Sequence, residues 1–339
     1  MQKKEYEKLQ ENLLLWYEKH GRKNLPWRNL QSQNCDERLS HIDRAYGVYI
    51  SEIMLQQTQV KSVLERFYFP FLQKFPTLQS LASADENELL KAWQGLGYYT
   101  RARNLKKAAL ECVERFKGNL PKELDDLKKL SGIGAYTAGA IACFAYNQKV
   151  SFVDGNIRRV LSRLFALENP SMKELEKKAK QILNLQNAFD HNQALLDIGA
   201  LVCVGKNAKC GICPLYDFCK GKLNTELYPR VKKMLYENVN LNLFLFEFNK
   251  KFAIQQSQDK LYKGMYNFPF FKEGKREISK DMRFVGEFKH SYTKYKLNIK
   301  VYHQILNNES KNYQFKTLKE LESTALSALS LKALKLIKF

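Results

Sequence analysis

Leu124–Phe144 reads LDDLKKLSGIGAYTAGAIACF. Helical spacing on either side of Ser131-Gly132-Ile133-Gly134 predicts two short helices joined by a tight turn. Gly132 and Gly134 permit positive φ there and leave bare backbone N–H groups at the start of the second helix, a nest that can hold a phosphate oxygen without reading a base. An ordinary helix–helix turn also needs glycine for closure. The complete frame L-x-x-L-x-G-I-G-x-x-T-A, Leu127–Ala138, favours the phosphate-binding hairpin.

Working outward, helical periodicity covers residues 1–220, from AYGVYISEIMLQQTQVKSVLERF at Ala45–Phe67 to HNQALLDIGALVCV at His191–Val204. Turn signals such as Phe75-Pro76, Gly95-Leu96-Gly97 and Asn119-Leu120-Pro121 punctuate it, so this part is read as one all-α domain. After residue 220 the texture changes. NVNLNLFLFEF alternates polar and apolar, FVGEFKHSYTKYKLNIKVYHQIL contains two strand-like runs, and STALSALSLKALKLIKF looks helical again. Residues 221–237 are therefore expected to be a linker, and 238–339 a second, α+β domain.

Two carboxylates stand out near the hairpin. Asp154 precedes the apolar series Ile157, Val160, Leu161 and Leu164, the position of a helix N-cap. A helix N-terminus favours the charged form, which predicts a lowered pKa. Glu52 lies in YISEIMLQQTQV among Ile50, Ile53, Met54 and Leu55. Packed inward, it would be desolvated and keep a proton to donate; spacing alone favours an exposed helix-face glutamate. One carboxyl pushed up and one pushed down is the division of labour for cleaving a glycosidic bond.

The formal net charge is +21, about +9 from residues 1–220 and about +12 from the remainder, so the excess is shared along the chain and favours a polyanionic partner. No apolar run reaches the roughly 18–20 residues of a membrane span, and MQKKEYEKLQ lacks a signal-peptide core. The expectation is a cytoplasmic protein with no membrane association. CVGKNAKCGICPLYDFC, Cys203–Cys219, concentrates four of the seven cysteines as C-x6-C-x2-C-x5-C. In a reducing compartment this spacing reads as a metal site at Cys203, Cys210, Cys213 and Cys219, and both zinc and an iron–sulfur cube satisfy it. Visible absorption near ~400 nm distinguishes the iron–sulfur case. Lys206, Lys209, Lys220 and Lys222 around the loop can touch phosphates or form a solvated rim.

LPWR at Leu25–Arg28, SEIMLQQTQV at Ser51–Val60, GLGYYTRARNL at Gly95–Leu105, SGIGAYTAGAI at Ser131–Ile141, VDGNIRRVLSRL at Val153–Leu164 and the cysteine cluster together resemble the MutY-type adenine DNA glycosylases. These belong to the helix-hairpin-helix superfamily shared with endonuclease III, and the resemblance covers nearly the whole chain. It implies removal of adenine mispaired with 8-oxoguanine or guanine in double-stranded DNA, by a monomer that flips the base from the stack. Glu52 would protonate adenine, Asp154 would stabilise the sugar cation, Asn156 would support the site, and the four cysteines would bind a [4Fe-4S] cluster. Tyr136 stands where bifunctional relatives carry a Schiff-base lysine, so a monofunctional enzyme is implied. Leu25, Trp27, Arg28 and Gln193 fall at the positions around the extruded adenine, and Gln57 and Tyr98 at those that wedge into the duplex. The second domain resembles the Nudix-like domain of the family without the catalytic metal array. Its HSYTKY places Tyr292, Thr293 and Lys294 in the loop that senses 8-oxoguanine, with lysine departing from the family's histidine.

Overall fold

The computed structural model describes residues 2–230, 235–258, 262–292 and 294–337. The chain divides into two compact units, Met1–Ala82 with Asn104–Lys232, and Ser83–Arg103 with Lys233–Phe339.

The first unit is helical: α1 (Lys3–His20), α2 (Arg44–Leu55), α3 (Val60–Arg66), α4 (Tyr68–Lys74) and α5 (Leu78–Ser83) precede α6 (Glu86–Ala92), which belongs to the other unit. Most of α7 (Thr100–Phe116) and all of α8 (Leu124–Lys129), α9 (Ala135–Tyr146), α10 (Gly155–Leu164), α11 (Met172–Ile182) and α12 (Ala188–Leu201) complete it. Its centre is the pair α2 and α9, which pack against each other. Every residue from Ala45 to Met54 is buried, as is every residue from Thr137 to Phe144. Helices covered on all sides lie inside a fold and not on its surface, so a polar side chain on either is desolvated by position alone. Asp43 caps α2 by accepting from the Tyr46 N–H at 2.9 Å, and Asn147 ends α9 in the left-handed region at φ 55°.

Residues 221–230, expected as linker, instead dock on α10. Gly221 N donates to the Arg163 carbonyl at 2.8 Å, Arg230 N donates to Glu168 O at 2.8 Å, and the Arg163 Nε reaches Thr225 O and Tyr228 O. Those carbonyls satisfy a buried guanidinium, which holds the segment down.

The second unit is built on a mixed sheet of β1 (Glu237–Phe248), β2 (Lys251–Gln256), β3 (Tyr266–Asn267), β4 (Phe270–Lys272), β5 (Arg283–Tyr292), β6 (Tyr295–Ile305) and β7 (Gln314–Thr317). Strand order is β3-β2-β1-β6-β5, with β4 paired to β1 and β7 to β2; β1 and β6 run parallel, β5 and β6 antiparallel. The alternation in NVNLNLFLFEF sends Phe244 and Phe246 to one face, where Phe271, Tyr302 and Phe315 pack on them. Two short helices follow, α13 (Leu318–Ser323) and α14 (Ala328–Leu334). Segment 83–103 joins this unit although nothing in its periodicity announces it. Gln94 Nε2 donates to Leu326 O at 2.6 Å, Lys91 Nζ to Thr324 O at 3.4 Å, and Asn87 Oδ1 accepts from Ala325 N at 3.4 Å. No described helix is long and apolar enough to cross a membrane.

Candidate active site

Glu52 lies in the last turn of α2 and is 5 % exposed. Its Oε2 accepts a hydrogen bond of 2.5 Å from the Tyr136 hydroxyl, which comes from the first turn of α9. Burial pushes the Glu52 carboxyl up to about 7; the nearby Asp154 charge adds to that, while the Tyr136 bond and the Arg28 charge oppose it. Burial and the neighbouring carboxylates drive the Tyr136 phenol well above its ordinary value, so it stays a donor.

Asp154 caps α10, accepting from Ile157 N at 2.6 Å, and its other oxygen accepts from Asn156 Nδ2 at 3.1 Å. The helix terminus was expected to lower its pKa. The direction is the reverse: burial raises it, and the bonds from Ile157 and Asn156 offset only part of that. Desolvation at the bottom of a cleft outweighs the cap because the charge has lost its water as well as gained donors. The pair is nevertheless asymmetric. Asp154 has several donors to hold negative charge, and Glu52 has one, so the shared charge rests on Asp154 and the proton on Glu52.

Both carboxyls open into a cavity of about 840 Å³ that Leu25, Trp27, Arg28, Gln57, Tyr136, Asn156 and Gln193 also line. Gln193 and Trp27 are buried, Trp27 edge-on to Tyr68 with ring centroids 5.2 Å apart. Arg28 enters through a buried ion pair: Nη1 and Nη2 donate to Asp197 at 2.9 and 2.8 Å, and Arg22 Nη2 donates to the same carboxylate at 2.6 Å. Burial acts to raise the Asp197 carboxyl, but the two guanidinium groups outweigh it and the net direction is down. Asp197 therefore stays charged and fixes Arg28 against the cavity wall. Sequence reasoning missed Asp197 and Arg22, although a lone acid inside the apolar run ALLDIGALV is itself a sign of a paired buried charge.

Arg159 was missed as well. On α10 its Nε donates to Cys203 O at 2.7 Å and its Nη2 to Asn156 Oδ1 at 3.0 Å, so one side chain ties the amide beside Asp154 to the start of the cysteine loop. Gly199 makes room for this. A Cβ there would stand 2.6 Å from the Asn156 Cβ, so only glycine lets α12 approach α10 so closely.

Cys203, Cys210, Cys213 and Cys219 line one small cavity with Arg163. Among the described residues no three His, Cys, Asp or Glu side chains form a group able to hold a metal ion. Four sulfurs around one void are nevertheless the donor type that a metal centre binds as thiolates. Arg163, 3 % exposed, supports that fit: its Nη1 donates to Val204 O at 2.7 Å and lies 3.4 Å from Cys203 Sγ, placing fixed positive charge beside sulfurs that must be thiolates to bind.

In the hairpin, Gly132 adopts φ +78°, whereas Gly134 is the N-cap of α9 at φ −87°. Positive φ is thus needed at one glycine, and Gly134 serves by leaving its flank open, with nothing within 4 Å of the point where a Cβ would stand. Gly132→Ala would meet the Asn104 Cβ at 2.6 Å and place alanine in the left-handed region, a cost of about 1–2 kcal/mol before the clash. The expected result is DNA affinity weakened about tenfold or more, equally for mispaired and fully paired duplexes, measured by anisotropy titration. Selective loss on one duplex would contradict a phosphate contact.

Gln57 is exposed and left-handed at φ 56°, at the end of α2. Tyr98, in the second unit, is 42 % exposed at φ 48°. Tyr292 ends β5 with its ring 6.4 Å from that of Tyr98. Lys294 bridges to Glu237 at 2.5 Å. Thr293 lies outside the described residues.

Residues 50–185, which include the buried acid, the second carboxylate and the hairpin, match the family model described as "HhH-GPD superfamily base excision DNA repair protein". A solved structure titled as a thermostable thymine-DNA glycosylase superposes with TM-score 0.57 at 25 % identity, over 65 % of this chain and 97 % of that one. The curated adenine DNA glycosylase of Buchnera aphidicola (subsp. Baizongia pistaciae) is 35 % identical over 88 % of this chain and 87 % of its own length. That of Mus musculus is 40 % identical over 66 % of this chain, which spans 42 % of the mouse protein. The chain belongs to the adenine DNA glycosylase family, enzymes that hydrolyse N-glycosyl bonds.

Proposed function

We propose that the protein excises adenine mispaired with 8-oxoguanine or guanine in duplex DNA, as a monofunctional glycosylase that leaves an abasic site. The observation that carries this reading is the buried Glu52 carboxyl, pushed up to about 7 by its burial and facing the same cavity as Asp154. Tyr136 occupies Oε2 of Glu52, so the acidic proton sits on the other oxygen and is free to pass to a ring nitrogen of adenine. Protonation lets the bond between the sugar C1′ and adenine break with both electrons leaving on the base. Asp154 faces the oxocarbenium ion that remains, and water then adds to it. Arg28, locked by Asp197, and the walls formed by Leu25, Trp27 and Gln193 hold the extruded base.

Strand cleavage through a Schiff base needs an amine. Among the described residues, the cations lining the cavity are Arg22, Arg28, Arg158 and Arg159, and a guanidinium is unsuited to forming an imine. The chain's charge of +21 and the hairpin amides supply duplex affinity that reads no sequence. In the cysteine loop a [4Fe-4S] cluster would hold the backbone that Arg159 and Arg163 grip, a structural role. The second unit, Nudix-like in this reading, would contribute the 8-oxoguanine preference through Tyr292, Thr293 and Lys294.

Single-turnover release of adenine from duplexes carrying A opposite 8-oxoguanine, G, C or T tests the proposal, with products analysed before and after alkali. Release from the first two duplexes, with strand breaks only after alkali and no borohydride-trapped adduct, is expected. Breaks without alkali would show an intrinsic lyase, and absence of release would leave a binding protein.

A further inference from the structure

The exposed ring of Tyr98 sits on a loop of the second unit whose carbonyls are tied by side chains. Trp93 Nε1 donates to Gly97 O at 3.2 Å, and Arg101 Nη2 donates to Leu96 O and Gly97 O at 3.0 and 3.1 Å. Its neighbour Tyr292 is held differently. It ends β5, two residues after His290 and on the same face of the strand. Tyr262 meets both: its ring centroid lies 6.0 Å from that of Tyr292, and its hydroxyl 3.3 Å from His290 Nε2. Tyr262 is 3 % exposed, so its hydroxyl depends on that imidazole for a partner, and burial keeps the phenol protonated and the imidazole neutral. Three rings therefore run from a buried anchor to an exposed tip.

We propose that Tyr262, through its ring contact with Tyr292 and its hydrogen bond to His290, is the positioning residue of a Tyr98–Tyr292 aromatic platform that receives the base opposite the adenine and sets discrimination between 8-oxoguanine and guanine. This rests on the mispair-specific reading above. Paired tyrosines at an exposed edge offer flat π faces suited to a nucleobase. The register of the Tyr292 ring decides whether that base lies flat, and Tyr262 fixes the register from behind. Tyr262 touches no reacting atom, so its removal should change binding and leave bond cleavage alone.

The test uses the full chain. Kd is measured for A:8-oxoguanine and A:G duplexes in a Glu52→Gln background that leaves the substrate uncleaved, and single-turnover rates are taken at saturating protein with Glu52 intact. Tyr262→Leu should lower the ratio of the two Kd values about tenfold, the loss of one aromatic support. Tyr262→Phe, which keeps the ring, should lower it about threefold through the lost hydrogen bond. His290→Leu should match Tyr262→Phe, and the double variant should fall no further because both remove one bond. Saturating rates should stay within twofold of the parent. An unchanged ratio in Tyr262→Phe and Tyr262→Leu, equal weakening on both duplexes, or additivity of the Phe and Leu changes would overturn the assignment. A parent protein that releases adenine without discriminating between the duplexes would overturn the mispair reading and this inference together.

Discussion

Replacing Glu52 with glutamine is expected to cut single-turnover adenine release by about 10²–10⁴-fold while leaving duplex affinity within a few-fold. Glutamine fills the same volume on α2 and can still meet the Tyr136 hydroxyl, so the helix pair stays packed and only the transferable proton is lost. In the parent protein the rate should fall as pH rises through about 7, where Glu52 ionises. The same displacement has a stability consequence. A folded-state pKa raised from 4.5 to about 7 means that the neutral acid suits the fold and the carboxylate does not. That contribution is fully present below about 4.5 and is lost as pH rises through about 7, roughly 3 kcal/mol in all. Glu52→Gln should therefore melt higher than the parent at pH 8 and equally at pH 4. A variant that keeps its activity, or that gains no stability at high pH, would remove Glu52 from the role of buried acid.

Asp154→Asn is the second large effect. Asparagine is as good an N-cap as aspartate, so α10 should still start at Gly155 and the protein should fold. What disappears is the negative charge opposite the sugar cation, and release should fall about 10²–10³-fold, in the range of losing a preorganised electrostatic partner. A second signature separates this from simple damage. The Asp154 charge is one of the causes holding the Glu52 carboxyl up, so the residual activity should lose its proton at lower pH than in the parent. A pH midpoint that stays put, with a rate within a few-fold of the parent, would show that the two carboxyls act independently.

The hairpin turn, the cap at Asp154 and the gathering of the four cysteines were legible because each is local: glycine spacing, a cap followed by an apolar series, and cysteine spacing within seventeen residues. The environment of Glu52 was not, since an isolated helix pattern cannot show that α2 is covered on every side. Asp197 escaped notice because its partners Arg22 and Arg28 stand 175 and 169 residues away. Arg159 and Arg163 fall between the apolar positions of α10, and only the docked loop reveals what they hold. The direction of the Asp154 shift failed for a related reason: the cap is written in the sequence, but the loss of water around it is not.

The membership of residues 83–103 in the C-terminal unit bears on synthesis. Gln94 and its carbonyl partner Leu326 are 232 residues apart. At ribosomal speeds of about 5–20 residues per second, Gln94 is made roughly 10–50 s before its partner Leu326. Buried Leu90 has its Cδ1 3.2 Å from the point where a Cβ on Gly264 would stand, so through that interval part of its cover is missing. The hydrogen bonds from Asn87, Lys91 and Gln94 to residues 324–326 therefore close only once the chain is nearly finished.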